Sequence, residues 1–163
     1  MVIRRQLGFT YLAVLFIVAI LTTGLALAGE VWETAAKREK EAELLFIGNE
    51  YRKAIGRYYE ATPGGVKRYP PALEDLLKDP RQPSTQRYLR KLYADPFGGK
   101  EWGVLRAADG GIAGIYSYST ETPLKSGNFR QRDAGFEDTQ HYADWKFVYS
   151  TIRADVPRTR VGR

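Results

Sequence analysis

The chain contains no cysteine and only one histidine, His141. Without cysteine it can form neither a disulfide framework nor a thiolate metal site, so its stability must come from packing. Hydrolytic or redox catalysis needs a nucleophile paired with a base, or a metal cluster, and a lone histidine in a polar stretch supplies neither. The paired glycines also lack the spacing and helix context of a phosphate-binding loop. These absences predict a protein that is not an enzyme and that has no cofactor, apart from the calcium ion considered below.

The formal net charge of +6 is concentrated at the two ends of the chain. Arg4 and Arg5 stand at the start, and residues 151–163 carry four arginines against one aspartate. Residues 6–150 hold 19 basic and 18 acidic side chains and are therefore close to neutral. A nucleic-acid-binding domain places clustered Lys and Arg across its folded surface, so this distribution argues against nucleic-acid binding. The tail 151–163 is predicted to be a basic, flexible segment.

Charge is absent from residues 9–29, a run of 21 residues rich in aliphatic side chains. At about 1.5 Å per residue, this segment is long enough to cross the ~30 Å hydrocarbon core of a bilayer. The arginines before it predict a cytoplasmic N-terminus and an exported C-terminal part. A removable signal peptide is the alternative, because residues 26–29 (ALAG) match a signal-peptidase site. The apolar run is longer than the roughly 7 to 15 residues of a signal core, which favours a retained transmembrane helix.

Proline is also absent between Phe9 and Thr62, and strong helix formers fill the charged stretch after the apolar run. The helix is therefore predicted to continue as an amphipathic segment over residues 30–62. Apolar side chains at spacings of three and four form one stripe, which we expect to be buried: Leu44, Ile47, Tyr51, Ile55 and Tyr58. Charged side chains upstream predict a solvated face, with contact to a partner helix as the alternative: Lys37, Arg38, Glu39, Lys40, Glu41 and Glu43.

Residues 63–150 predict a small α+β domain. Pro63, Gly64 and Gly65 end the long helix, residues 69–80 suggest a short helix, and residues 87–94 suggest another before a turn at 95–99. Three aromatic and β-branched segments predict strands at 101–106, 111–119 and 144–150. The predicted fold class is α+β, with a long N-terminal helix packed on a small antiparallel sheet. The helix has an apolar membrane half and an amphipathic half.

The N-terminus resembles the class III signal of type IV pilins and type II secretion pseudopilins. The resemblance rests on a short basic leader that ends at Gly8, followed by Phe9, Thr10 and the long apolar helix. It implies that a prepilin peptidase removes residues 1–8 after Gly8 and that Phe9 becomes N-methylated. It also implies that the helix, with Phe9, Thr10, Ala13 and Phe16 near its start, first anchors the protein in the membrane and then packs against other subunits.

The C-terminal half resembles the major type II secretion pseudopilin through three stretches in order: YPPALEDLLKDP, YLRKLYADPFGG and a strand containing YSYS. The resemblance implies a pilin-like fold and a calcium site in a loop between the last strands. The matching stretch, residues 121–144, contains five carboxylates, Glu121, Asp133, Glu137, Asp138 and Asp144, of which the last four are the candidate ligands. The alternative is a solvated loop held by Phe129, Phe136 and Trp145.

One departure from the family concerns residue 13. The fifth residue of a mature pilin is usually a glutamate that pairs with a neighbouring subunit's N-terminal amine, and here that position is Ala13. The sequence therefore predicts a minor or tip pseudopilin in the bacterial inner membrane, with its C-terminal domain in the periplasm. Its expected partners are other pilin-like subunits, the prepilin peptidase and the inner-membrane assembly platform. A membrane-anchored periplasmic binding module that keeps its leader is the alternative function.

Overall fold

The computed structural model describes residues 7–99 and 101–150, and at residues 7–9 and 23–31 it describes the backbone alone. Residues 1–6 of the predicted leader and the predicted tail 151–163 lie outside this range. The chain divides into two units, with the boundary after Glu39. The regular elements in chain order are α1 (Leu7–Glu60), a 3₁₀ helix (Leu73–Leu76), β1 (Gly103–Arg106), β2 (Ile112–Tyr116), two 3₁₀ helices (Gln131–Phe136 and Tyr142–Asp144) and β3 (Phe147–Val148). The fold is α+β, as predicted.

The helix α1 ends where proline and glycine interrupt the sequence. It contains no proline, and Thr62 closes its end by donating its hydroxyl to the carbonyl of Tyr59 over 2.8 Å. Pro63 follows, and Gly64 has a φ of 87°, a left-handed conformation that glycine adopts without steric cost. The predicted end of the helix is therefore confirmed.

The predicted apolar stripe of α1 forms one side of the core in the second unit. Its five members are each at most 3% exposed: Leu44, Ile47, Tyr51, Ile55 and Tyr58. They belong to one hydrophobic cluster with Ile112 and Ile115 of β2 and Phe147 of β3. The helix therefore packs on the sheet through the face that the sequence spacing predicts.

The sheet has the order β1-β2-β3, and both pairings are antiparallel. In its register, Ile115 lies opposite Val104 on one side and opposite Phe147 on the other. The turn between β1 and β2 contains the pair Gly110 and Gly111: the Ala107 amide donates to the Gly111 carbonyl over 2.8 Å, and Gly110 has a φ of 80°. The three predicted strands are confirmed, although each is shorter than its sequence segment.

The approach of β3 to α1 depends on Gly48. A side-chain carbon placed at this position would collide with the ring of Phe147. The guanidinium of Arg52, one turn further along α1, lies 5.5 Å from the centre of the same ring. Gly48 therefore provides the space in which the Phe147 ring lies flat against the helix.

Arg81 closes the C-terminal end of α1. Its guanidinium donates to the Tyr58 carbonyl over 2.9 Å and to the Thr62 hydroxyl over 2.7 Å, and it lies 3.5 Å from the centre of the Tyr58 ring. It also forms a bidentate pair with the buried carboxylate of Asp79, over 2.8 and 2.7 Å. These hydrogen bonds from Arg81 lower the pKa of Asp79 below its usual value. The guanidinium thus satisfies the Tyr58 carbonyl, which the end of the helix leaves free.

Of the two short helices predicted between α1 and the sheet, one is present and the other is absent. The first is present as the 3₁₀ helix Leu73–Leu76, with Leu76 buried. The second, over residues 87–94, is absent, and this prediction is wrong. The amides of Tyr88 and Leu89 both donate to the Leu76 carbonyl over 2.9 Å, and the Tyr93 amide donates to the Tyr51 hydroxyl over 2.9 Å. Bonds to distant parts of the fold therefore replace those of a local helix.

Arg81→Lys should lower the free energy of unfolding by about 1–3 kcal/mol. Lysine retains the charge but cannot make the bidentate pair with Asp79 while also donating to the end of α1. Urea unfolding of the full-length chain measures the change. Arg90→Lys is the matched control, because Arg90 is exposed and no hydrogen bond or ion pair engages it within residues 7–99 and 101–150. Equal losses for both variants would contradict the role of Arg81.

Tyr51→Phe should destabilise the fold by about 1–3 kcal/mol at neutral pH. The Tyr51 hydroxyl donates to the Tyr93 carbonyl over 3.1 Å and accepts from the Tyr93 amide, and phenylalanine leaves both groups without this partner.

The difference in the free energy of unfolding between the wild type and Tyr51→Phe should shrink as the pH rises from 10 towards 12. Burial raises the pKa of Tyr51 to about 12, whereas in the unfolded chain a tyrosine ionises near 10. Ionisation therefore favours unfolding of the wild-type chain in this interval, and the phenylalanine variant has no such group at position 51. Urea unfolding across this range measures the difference, and a constant difference would argue against the prediction. Tyr118→Phe, at an exposed position, should leave stability at neutral pH unchanged.

Candidate functional site

The N-terminal unit presents apolar side chains to its surroundings on all sides of α1. Every described side chain from Thr10 to Thr22 is exposed. Nine of them are large and apolar, with exposed fractions between 49% and 67%: Tyr11, Leu12, Val14, Leu15, Phe16, Ile17, Val18, Ile20 and Leu21. An apolar surface of this size on one helix is typical of a segment that contacts lipid or other apolar helices.

The polar group of Thr22 is satisfied within this helix. Its hydroxyl donates to the carbonyls of Val18 over 2.9 Å and of Ala19 over 3.0 Å. This arrangement leaves the hydroxyl with no need for a hydrogen-bond partner outside the helix.

Within the part of the chain whose side chains are described, no helical stretch combines the length and the apolarity needed to cross a membrane.

The residues predicted to act in processing and assembly lie at the start of α1. Gly8 and Phe9 are in its first turns, and their side-chain surroundings lie outside the described part. Thr10, Ala13 and Phe16 are exposed on the helix. Ala13 and Phe16 are three residues apart and therefore lie on the same side of α1.

The four carboxylates predicted as calcium ligands are not brought together. Asp133 Oδ1 is 2.7 Å from Arg52 Nη1, and Asp144 Oδ2 accepts the amide of His141 over 3.2 Å. Glu137 and Asp138 are exposed. Across the described ranges, no group of three or more histidine, aspartate or glutamate side chains is placed to hold a metal ion. The residues present do not fit a calcium site, because one carboxylate is neutralised by arginine and another caps a turn.

The aromatic residues of the same loop match the alternative prediction. Phe136 is stacked on Trp145 with ring centres 5.4 Å apart, and Phe129 meets both rings edge-on. The Trp145 indole donates to the Thr139 hydroxyl over 2.8 Å. The loop is therefore held by an aromatic cluster.

Glu41 fixes this loop to α1. Its Oε2 atom accepts hydrogen bonds from the amides of Leu124 over 2.8 Å and Lys125 over 3.2 Å, and from the Tyr142 hydroxyl over 2.9 Å. Burial, followed by the bond to Glu41, raises the pKa of Tyr142. Glu41 is 6% exposed, so its predicted position on a solvated face is wrong. The spacing of Glu41 in the sequence indicates this buried position, because Glu41 precedes Leu44 by three residues and therefore lies on the same helix face as the buried stripe.

A cavity of about 290 Å³ lies between α1 and the loop that follows Lys125. Its walls combine apolar and basic side chains: Ala42, Leu45, Phe46, Asn49, Lys125, Phe129, Arg130, Arg132 and Asp133. Phe46 is 58% exposed. The sequence did not reveal this site, because its two halves are about 80 residues apart in the chain.

No protein-family model matches the chain, and no curated protein or solved structure shows significant similarity to it.

Glu41→Gln should loosen the loop at Leu124 and Lys125. A hydrogen bond to a charged group contributes about 1.5–3 kcal/mol and a neutral one about 0.5–1.5 kcal/mol, so loss of the charge weakens all three contacts. Hydrogen exchange of the Leu124 and Lys125 amides measures the effect and should become faster. The control is Glu43→Gln, at an exposed position two residues away. Unchanged exchange in Glu41→Gln would argue against this anchoring role.

Proposed function

We propose that this chain is a structural subunit of a pilin-like filament, specifically a minor pseudopilin of a type II secretion system or a related type IV filament system. The observation that carries the proposal is the contrast between two parts of α1. Residues 44–58 bury an apolar stripe in the core of a three-stranded sheet, whereas nine large apolar side chains between Tyr11 and Leu21 remain exposed. The exposed part requires a covering that a single copy of residues 10–22 does not provide.

Neighbouring apolar helices and lipid tails can both provide this covering. An apolar helix is stabilised to a similar extent by lipid and by other apolar helices, so transfer from a membrane to a helix bundle costs little. In the proposed function, α1 anchors the subunit in the bacterial inner membrane and then packs in the centre of the filament. The N-terminus faces the cytoplasm, and the sheet domain lies in the periplasm. Assembly is driven by a separate cytoplasmic ATPase at the assembly platform, and the subunit performs no chemistry.

Ala13 supports a minor or tip position in the filament. A carboxylate within an apolar environment is costly and is retained where it has a partner. A subunit with no neighbour above it has no amine to pair with, so alanine at this position avoids an unpaired charge. A major subunit, repeated along the filament, would lose its usual pairing group by the same substitution.

A membrane-anchored binding module that keeps its leader is the second candidate. The cavity beside Phe46 favours it, because a concave site with apolar walls and a few charged groups is typical of ligand binding. In that case residues 1–8 stay attached, and the protein works without other copies of itself.

Gly8→Ala should abolish leader removal and assembly if the chain is a pilin-like subunit, because the prepilin peptidase requires glycine before the cut. Intact mass and N-terminal sequencing of membrane-purified protein, from cells with and without the peptidase, measure the outcome. The wild-type chain should begin at N-methylated Phe9 only when the peptidase is present.

Gly24→Ala is the matched control, since it changes a glycine of the same apolar segment away from the cleavage point. It should be processed as the wild type is. A wild-type chain that still begins at Met1 in the presence of the peptidase would favour the binding module. A chain that begins at Gly29 would identify the apolar run as a signal peptide.

A further inference from the structure

The cavity beside Phe46 carries more positive than negative charge. Lys125, Arg130 and Arg132 line it, together with one carboxylate, Asp133. That carboxylate pairs with Arg52, 2.7 Å away, and more distantly with Arg132, 3.8 Å away. Within residues 7–99 and 101–150 the guanidinium of Arg130 has no hydrogen-bond or ion-pair partner. The rim of the cavity therefore favours an anionic group.

The interior of the cavity fits one large apolar side chain. Leu45, Phe46 and Phe129 supply apolar walls, and the volume of about 290 Å³ is at the lower end of the range for small-molecule sites. The amide oxygen of Asn49, which lines the cavity, is buried and has no hydrogen-bond donor in the described part of the chain. If the Asn49 amide rotates so that its oxygen faces the cavity, an N–H group of an inserted side chain can donate a hydrogen bond to this oxygen.

The exposed face of α1 around Trp32 has the complementary chemistry. Trp32 is 79% exposed, the highest value among the exposed large hydrophobic side chains that the structure describes. Its indole has a single N–H donor. The neighbours three and four residues later are Ala35 and Ala36, and Glu39 follows seven residues after Trp32. By helical geometry, Glu39 lies on nearly the same face, about 10 Å along the axis, and it is exposed.

We propose that Trp32 of one copy of this chain inserts into the cavity beside Phe46 of a second copy, and that Glu39 of the first copy pairs with Arg130 of the second. The indole packs on Phe46 and Phe129 and lies within reach of the arginines, which interact favourably with its face. The small side chains of Ala35 and Ala36 allow close approach of the second copy. The contact rests on the proposed function, since it joins subunits of one assembly.

This contact uses different surfaces on the two copies. The donor surface, Trp32 to Glu39, belongs to the first unit, and the receiving cavity belongs to the second. A contact between unlike surfaces is heterologous, so it leaves the first copy with a free cavity and the second copy with a free donor surface. Repetition of such a contact produces a ring or an open helical filament.

Crosslinking between two differently tagged full-length copies tests the proposal. One copy carries Ala36→Cys and the other carries Ala42→Cys, at an exposed position that lines the cavity and leaves its arginines intact, and the absence of native cysteine leaves these two thiols as the sole targets of a short bis-maleimide. We expect a crosslinked product that contains both tags in membranes of co-expressing cells. Adding Trp32→Ala to the first copy should lower the yield roughly tenfold or more, because buried tryptophans dominate the affinity of interfaces.

Two controls make the test specific. Arg38→Cys, used in place of Ala36→Cys, puts the thiol about 120° away from the Trp32 face and should give little product. Glu39→Arg should lower the yield, and Arg130→Glu in the second copy should restore it by reversing the charge pair. Urea unfolding of each variant verifies that the domain is folded.

Three results would overturn the proposal: no product from folded, processed chains, a yield that is insensitive to Trp32→Ala, or an equal yield from Arg38→Cys. The N-terminal sequence of the same samples separates this inference from the proposed function. Processing at Gly8 without the crosslink refutes the contact and leaves the filament role intact. The crosslink without processing supports the contact and refutes the pilin-like role.

Discussion

Burial of one face of α1 against β2 and β3 is the constraint on which the second unit depends. A three-stranded sheet whose last strand is Phe147–Val148 is too small to be stable alone. The stripe from Leu44 to Tyr58 supplies the apolar surface that this sheet lacks, and the loop aromatics Phe136 and Trp145 extend the same core. The helix is therefore the central part of the domain.

Charged side chains fix both ends of the buried face. Glu41 binds two loop amides and a tyrosine hydroxyl at one end, and Arg81 binds the Tyr58 carbonyl at the other. Each charged group has several hydrogen-bond partners, which offsets the cost of removing it from water. The two groups hold different loops against α1. Apolar burial and the polar anchors thus both stabilise the packing of the loops on α1.

The sequence predicted the elements whose signals are local. The spacing of Leu44, Ile47 and Tyr51 predicted the buried face, and aromatic and β-branched segments predicted the three strands. It failed where distant residues decide the structure. Residues 87–94 resemble a helix, but Leu76 and Tyr51 take up their backbone groups. Asp133 resembles a metal ligand, but its counter-ion is Arg52, 81 residues earlier in the chain. The cavity beside Phe46 joins two remote segments and has no local pattern.

The close contact between Gly48 and Phe147 links two positions that are far apart in the chain. Any side chain at position 48 requires the ring at position 147 to move or become smaller, because the two would share the same volume. A smaller residue at position 147 in turn leaves a void that only a larger residue at position 48 can fill. The sizes of these two residues should therefore change together during evolution, so that related sequences with a bulkier residue on the helix carry a smaller one on the strand.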